Sequence, residues 1–216
     1  MYSKVTSIPL NIKLLLCITA LQCLLWSVYL VLFKPVFNDF FTEAVIRSIV
    51  RVSIIGIPAL LYIYFYKKEN VKDYLSTKNL QFALKLGFLG CLVIIFFFLP
   101  KLHNFKFPLD FPAWMNWIIG SPLTEELYFR AIILKELSKH YSPTSSIIFS
   151  SLLFLAFHLP QWIFTQSIGQ FIEPAMMIFI YGIGFSLLWM KSKSIFAALL
   201  PHCLNNFLYM ATSVIR

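Results

Sequence analysis

Charge is what this sequence has least of. Only 12% of its 216 residues are Asp, Glu, Lys or Arg, while 59% are hydrophobic; a soluble domain carries about a quarter charged residues. With a mean hydropathy of +0.78, that scarcity excludes a soluble globular chain and leaves no stretch for a separate soluble domain. Cysteine is scarce as well. Cys17, Cys23, Cys91 and Cys203 each stand in an apolar run and form no CxxC pair, so they read as buried free thiols, small hydrophobes in effect. No A-x-A cleavage site follows the first apolar run, residues 14–33, and that run is longer than a signal-peptide core; it reads as a retained span. There is no internal repeat of the kind that marks small transporters, no HExxH helix and no Ser/His/Asp or Cys-based nucleophile elbow.

Acids are scarcer than bases, nine against 18, for a formal charge of +9. The lysines and arginines are scattered through short loops between apolar runs, which anchors a chain in a lipid bilayer rather than on nucleic acid. Apolar runs cover residues 14–33, about 52–66, 81–100, 113–137, 144–159, 174–190 and 194–215. The expected fold is therefore all-α: a polytopic membrane helix bundle of about seven transmembrane helices. The first of these, the stretch 35–51 and the next two form an N-terminal part, residues 1–113, and residues 114–216 form the part that carries the chemistry. Residues 35–51, with Asp39, Glu43, Arg47 and Arg51 among aromatics, read as an interfacial amphipathic helix leading into the second span, whose short uncharged part implies that it begins earlier, with the arginines snorkelling. Residues 160–173 read as an interfacial or re-entrant connection. The basic loops fall on the side of the N-terminus, which places it in the cytoplasm and the C-terminus outside.

One segment breaks the apolar pattern. Thr124-Glu125-Glu126-Leu127-Tyr128-Phe129-Arg130 puts two carboxylates and a guanidinium within six residues of a span. Each charge at mid-bilayer depth costs roughly 2.5–3.5 kcal/mol on insertion scales, so the cluster is expected to face the bundle interior and to serve function. Glu126 and Arg130 lie four apart and can pair along one helix face. Glu125 is turned about 100° away, has no charged partner on its own helix, and reads as the free carboxylate available for chemistry.

Further polar groups sit deep in two other apolar runs. Phe154 and His158 are four apart, as are His202 and Asn206, so each pair shares a helix face. A carboxylate and an imidazole can take a proton from water, and a second imidazole with a carboxamide can donate to the oxyanion of a tetrahedral intermediate. This is the equipment of amide hydrolysis by activated water. Asn205 reads as a packing residue, and His103 and His140 as solvated loop residues.

Glu-Glu-x-x-x-Arg, Phe-x-x-x-His and His-x-x-x-Asn, in that order and each in its own hydrophobic helix, resemble the CPBP (Abi) family of CAAX-prenyl endopeptidases and bacteriocin-processing or immunity proteins. The resemblance spans residues 114–208. It implies that Glu125 and His158 activate water, that His202 and Asn206 form the oxyanion site, and that Glu126, Arg130 and Phe154 support them. It leaves the cofactor open: Glu125, His158 and His202 are also the candidate ligands for a divalent metal such as zinc. The implied activity is that of an intramembrane endopeptidase, glutamate- or metal-dependent, acting on a peptide or lipidated peptide, either a prenylated C-terminus or a bacteriocin or signal-peptide precursor. The alternative is a non-catalytic immunity or scaffold protein that binds a toxin or receptor. A compact, short-looped chain rich in Phe, Ile and Lys points to a bacterial cytoplasmic membrane. Oligomeric state and pathway stay open.

Overall fold

The computed structural model describes residues 8–33, 36, 40–75, 79–107, 114–165 and 170–212. Among them there is no strand. Seven long helices and one short one make up the described residues. They are α1 (Leu10–Val28, continuing through Tyr29–Phe33), α2 (Phe40–Arg51, then Val52–Gly56, Ile57–Leu61 and Tyr62–Lys67), the short α3 (Val71–Leu75) and α4 (Leu80–Phe98, tightening into a 3-10 turn over Leu99–Asn104). They continue with α5 (Trp114–Gly120, Ser121–Glu125, Glu126–Leu134 and Lys135–Leu137), α6 (Pro143–Thr165), α7 (Ile172–Ser192) and α8 (Phe196–Thr212). The fold is the all-α membrane bundle that the composition demands.

Five of the helices, α1, α2, α4, α6 and α7, are long and apolar enough to cross a membrane. The other two long ones, α5 and α8, differ for a physical reason. The stretch Tyr128–Leu134 of α5 is at most 1% exposed, so this helix is wrapped by protein rather than lipid and need not be lipophilic. α8 is shorter, 17 residues. Large apolar side chains on the outer helices, such as Phe88, Phe96, Ile163 and Met176, point outward instead, as a lipid-facing surface requires.

Two expectations are corrected. Phe40–Arg51 does not lie apart as an interfacial helix; it runs without a break into Val52–Lys67, so the second span begins earlier than its uncharged part, as expected, with Glu43 and Arg47 neutralising each other one turn apart and Arg51 partnered inside the bundle. Asp39 lies outside the described residues. Likewise, Pro160 does not end α6, which continues through Gln161–Thr165. A proline strands the carbonyl four residues earlier. Here that is Ala156, whose oxygen accepts from the Cys23 thiol of α1 at 3.9 Å. Of the expected connection 160–173, residues 166–169 lie outside the described set, as do the chain ends beyond 8 and 212 and the domain junction at 113.

α5 is tied to the helices around it. Tyr128 and Thr19 of α1 share a hydrogen bond at 2.9 Å. At the lower end Glu136, fully buried, takes Lys67 at 2.9 Å, Lys139 at 2.8 Å and the Asn11 amide at 2.7 Å. Three cationic or amide donors on three segments make this carboxylate affordable in a buried place. Nearby, the Lys135 ammonium sits 3.5 Å from the centre of the Tyr74 ring. Burial pushes the Tyr74 hydroxyl up, and the Glu69 and Glu136 charges push it further.

α4 and α8 approach closely because α4 carries glycine where they meet. A Cβ on Gly90 would lie 3.0 Å from Leu188 and 3.1 Å from Pro201. Gly90→Leu is therefore expected to force α4 off α8 and α7 and to lower the thermal midpoint in detergent, overpacking typically costing about 1–3 kcal/mol. Gly184→Leu is the control, since a Cβ there meets nothing within 4 Å. Equal midpoints for the two variants would show that the α4–α8 contact does not hold the bundle together.

Candidate active site

α5 brings the two glutamates into the bundle at mid-helix, where π-type turns lie on either side of Ser121–Glu125; such wide turns frequently sit at functional sites. Glu125 is 1% and Glu126 0% exposed. Two buried carboxylates need counter-charge, and each has its own guanidinium. Glu126 pairs with Arg130 one turn on, at 3.3 Å. Arg130 is itself fully buried. Its guanidinium lies 4.3 Å from the Phe154 ring and 5.6 Å from that of Phe185, and Nη2 donates to the Gly182 carbonyl at 3.4 Å.

Glu125 is not free. Arg51 of α2 reaches across the bundle and places Nη1 2.6 Å from Glu125 Oε1. Ser121, one turn earlier on α5, donates to the same oxygen at 2.6 Å, and Arg51 also contacts Ser121. The Arg51 guanidinium lies 5.1 Å from the Trp26 ring and 5.9 Å from that of Trp117. Periodicity within one helix could not reveal a partner 74 positions away. The signal was available all the same, in the form of an arginine within an otherwise apolar span.

His202 of α8 joins the two glutamates. Its Nδ1 lies 2.7 Å from Glu126 Oε1 and its Nε2 3.7 Å from Glu125 Oε2. The ring stacks on Phe185 of α7 at 4.9 Å, the planes 20° apart, and Phe154 meets it edge-on at 6.1 Å. A carboxylate only accepts, so the Glu126 contact fixes a proton on Nδ1 and aims Nε2 at Glu125.

His158 of α6 is half-buried. Its Nδ1 donates to the Phe154 carbonyl at 2.8 Å, which leaves Nε2 of the neutral ring with its lone pair. The ring sits edge-on to Phe154 at 4.7 Å. Phe154 is thus a shared wall under Arg130, His158 and His202. Asn206, one turn past His202, gives one amide hydrogen to the Trp117 carbonyl at 2.8 Å and accepts from Asn205 at 3.2 Å; among the described residues its second amide hydrogen has no acceptor.

Glu125, Glu126, Arg130 and His202 are therefore in direct contact, with Phe154 against them, His158 beside Phe154 and Asn206 one turn away. Arg51, Ser121, Trp117 and Phe185 complete the surroundings. Phe185 and Trp117 are aromatics in apolar runs and carried no signal in the sequence.

The candidate metal ligands are Glu125, His158 and His202. Among the described residues no group of three or more His, Cys, Asp or Glu side chains is placed to hold an ion. Oε1 of Glu125 is taken by a cation and a hydroxyl, and Nδ1 of His158 by a backbone carbonyl.

Fold and site together define an integral membrane protein of helical-bundle type with an acid–imidazole centre buried inside the bundle. Residues 107–208 match the family described as Rce1-like, type II CAAX prenyl endopeptidase Rce1-like. The match covers a little under half of the chain and supports, at the level of the family, a CAAX-type membrane endopeptidase. No curated protein and no solved structure matches the chain significantly.

Proposed function

We propose that this protein hydrolyses a peptide bond of a membrane-associated peptide by water that Glu125 and His158 activate. The observation that carries the reading is the arrangement of Glu125: one oxygen is held by Arg51 and Ser121, while the other faces His202 across 3.7 Å. That gap is too long for a direct hydrogen bond.

In the reaction, Oε2 of Glu125 takes a proton from water as the water oxygen bonds to the scissile carbonyl carbon. His158 Nε2 accepts a hydrogen bond from the same water and orients it. The carbonyl oxygen becomes an oxyanion and receives the free amide hydrogen of Asn206 and, in the imidazolium form, Nε2–H of His202. The C–N bond then breaks as Glu125 returns its proton to the leaving amine. No serine or thiol intervenes.

The substrate is a peptide that partitions into the bilayer, because the centre lies at mid-helix depth in α5. A prenylated C-terminus and a hydrophobic bacteriocin or signal-peptide precursor both meet that demand. The compact, short-looped chain rich in Phe, Ile and Lys favours a bacterial cytoplasmic membrane, where the precursor is the better fit.

The test is cleavage of both peptide types by the purified protein in liposomes, comparing wild type with His158→Ala, with and without a chelator. The reading expects wild-type cleavage, a loss of about 10²–10⁴-fold in His158→Ala, and activity that survives chelation. Activity that chelation removes and zinc restores would replace the residue-only chemistry by metal-assisted chemistry. A folded wild type that cleaves neither peptide type yet still binds one would favour the scaffold alternative.

A further inference from the structure

Arg51 belongs to α2, far outside the matched segment 107–208, yet it makes the closest cationic contact to Glu125. We propose that Arg51 is a positioning residue for the reaction: it pins Oε1 of Glu125 so that Oε2 alone is presented to water. The proposal rests on the endopeptidase reading above and adds to it a residue from the N-terminal helices.

Four observations carry it. First, the two donors to Glu125 converge on one oxygen: Arg51 Nη1 and Ser121 Oγ both reach Oε1 at 2.6 Å. A carboxylate saturated on one oxygen is rotationally fixed, and its second oxygen is the one with open capacity. Second, that second oxygen is the one on the His202 side, where the remaining polar groups gather. Third, the other arginine near the pair, Arg130, is committed to Glu126, so without Arg51 the Glu125 carboxylate has only the Ser121 hydroxyl and the imidazoles. Fourth, Arg51 is itself held in place. It is 8% exposed, and its guanidinium lies near the faces of Trp26 from α1 and Trp117 from α5. A guanidinium near two aromatic rings, with a fork-shaped set of donors, has one preferred orientation where a lysine would have many.

The same contact explains why the matched segment is not the whole catalytic unit. α5 supplies the carboxylate, while α2 supplies the charge that steadies it, and Gly56 one turn and a half further on lets α2 lie close: a Cβ there would touch Thr124 at 3.5 Å.

The experiment measures kcat and KM separately for wild type, Arg51→Gln, Arg51→Lys and Ser121→Ala on a fluorogenic peptide that wild type cleaves, with the thermal midpoint of each variant in the same detergent. The expected result is a fall in kcat of at least about tenfold for Arg51→Gln, with KM within about threefold of wild type; truncated positioning contacts show this pattern when the interaction matters in the transition state. Arg51→Lys, which keeps the charge, restores part of the lost kcat. Ser121→Ala, which removes only the neutral donor on the same oxygen, gives a smaller fall of the same kind and keeps the interpretation open if Arg51→Gln does not fold. Wild-type kcat in folded Arg51→Gln, a rise in KM at unchanged kcat, or an Arg51→Lys variant no better than Arg51→Gln would each overturn the assignment. So would unchanged kcat in Ser121→Ala together with an Arg51→Gln variant that does not fold. A wild type that cleaves no peptide overturns the endopeptidase reading itself, which separates that failure from a failure of Arg51 alone.

Discussion

Glu125→Gln is expected to lower kcat for peptide cleavage by about 10³-fold, the middle of the range for losing a positioned general base, while the bundle stays folded. The substitution keeps the shape of the side chain and its hydrogen-bond acceptor. The amide oxygen can still receive the Arg51 and Ser121 donors that now reach Oε1 at 2.6 Å. What is lost is the oxygen that takes the proton, because an amide is not a base at any ordinary pH. The residue is 1% exposed, so bulk water cannot substitute for it. Measured in liposomes beside the thermal midpoint of the same preparation, a kcat within about tenfold of wild type would remove Glu125 from the role of base. His158, whose Nε2 also has a free lone pair, would then be the candidate to replace it. A large fall in midpoint would instead assign Glu125 a packing role.

The second large effect is on stability. Arg130→Met is expected to destabilise the protein by about 3–5 kcal/mol, the usual cost of leaving one partner of a buried ion pair without the other. Arg130 and Glu126 are both fully buried at 3.3 Å, and the guanidinium also lies against Phe154 and Phe185. Methionine fills much of the space between the rings but leaves Glu126 with only His202 for a partner. The double variant Arg130→Met with Glu126→Gln should recover most of the loss, since replacing both members of a buried pair by neutral groups is often nearly neutral. Thermal unfolding of the two singles and the double in one detergent gives the coupling directly. If the double is as unstable as the sum of the singles, the two residues act independently and the ion pair is not what holds this part of α5.

The sequence could be read as far as a helix can see along itself. Glu126 with Arg130, Phe154 with His158, and His202 with Asn206 are all four apart, and the 3.6-residue turn is enough to put each pair on a common face. The bundle class was equally legible, since long apolar runs in a charge-poor chain have few stable alternatives. What could not be read were contacts between helices. Arg51 looked like a charge at a membrane interface because its partner is on α5, and Glu125 looked free for the same reason. Pro160 looked like a helix end, although Cys23 from α1 supplies a partner for the carbonyl that the proline strands. Phe185 and Trp117 are indistinguishable in sequence from any lipid-facing aromatic; only the fold tells which rings turn inward.

The burial of α5 also bears on how the chain is built into a membrane. A helix carrying Glu125, Glu126 and Arg130 is a poor candidate for independent insertion, since each charge is costly in hydrocarbon, and its own sequence can neutralise only one of the two acids. Arg51 precedes Glu125 by 74 positions, so the counter-charge of Glu125 is already present, on α2, when α5 is made. Glu126 must wait for His202, 76 positions later, with Arg130 as its only partner meanwhile. In chain order, then, the counter-charge for Glu125 comes before α5 and the imidazole for Glu126 after it, so the polar centre is complete only once α8 is in place.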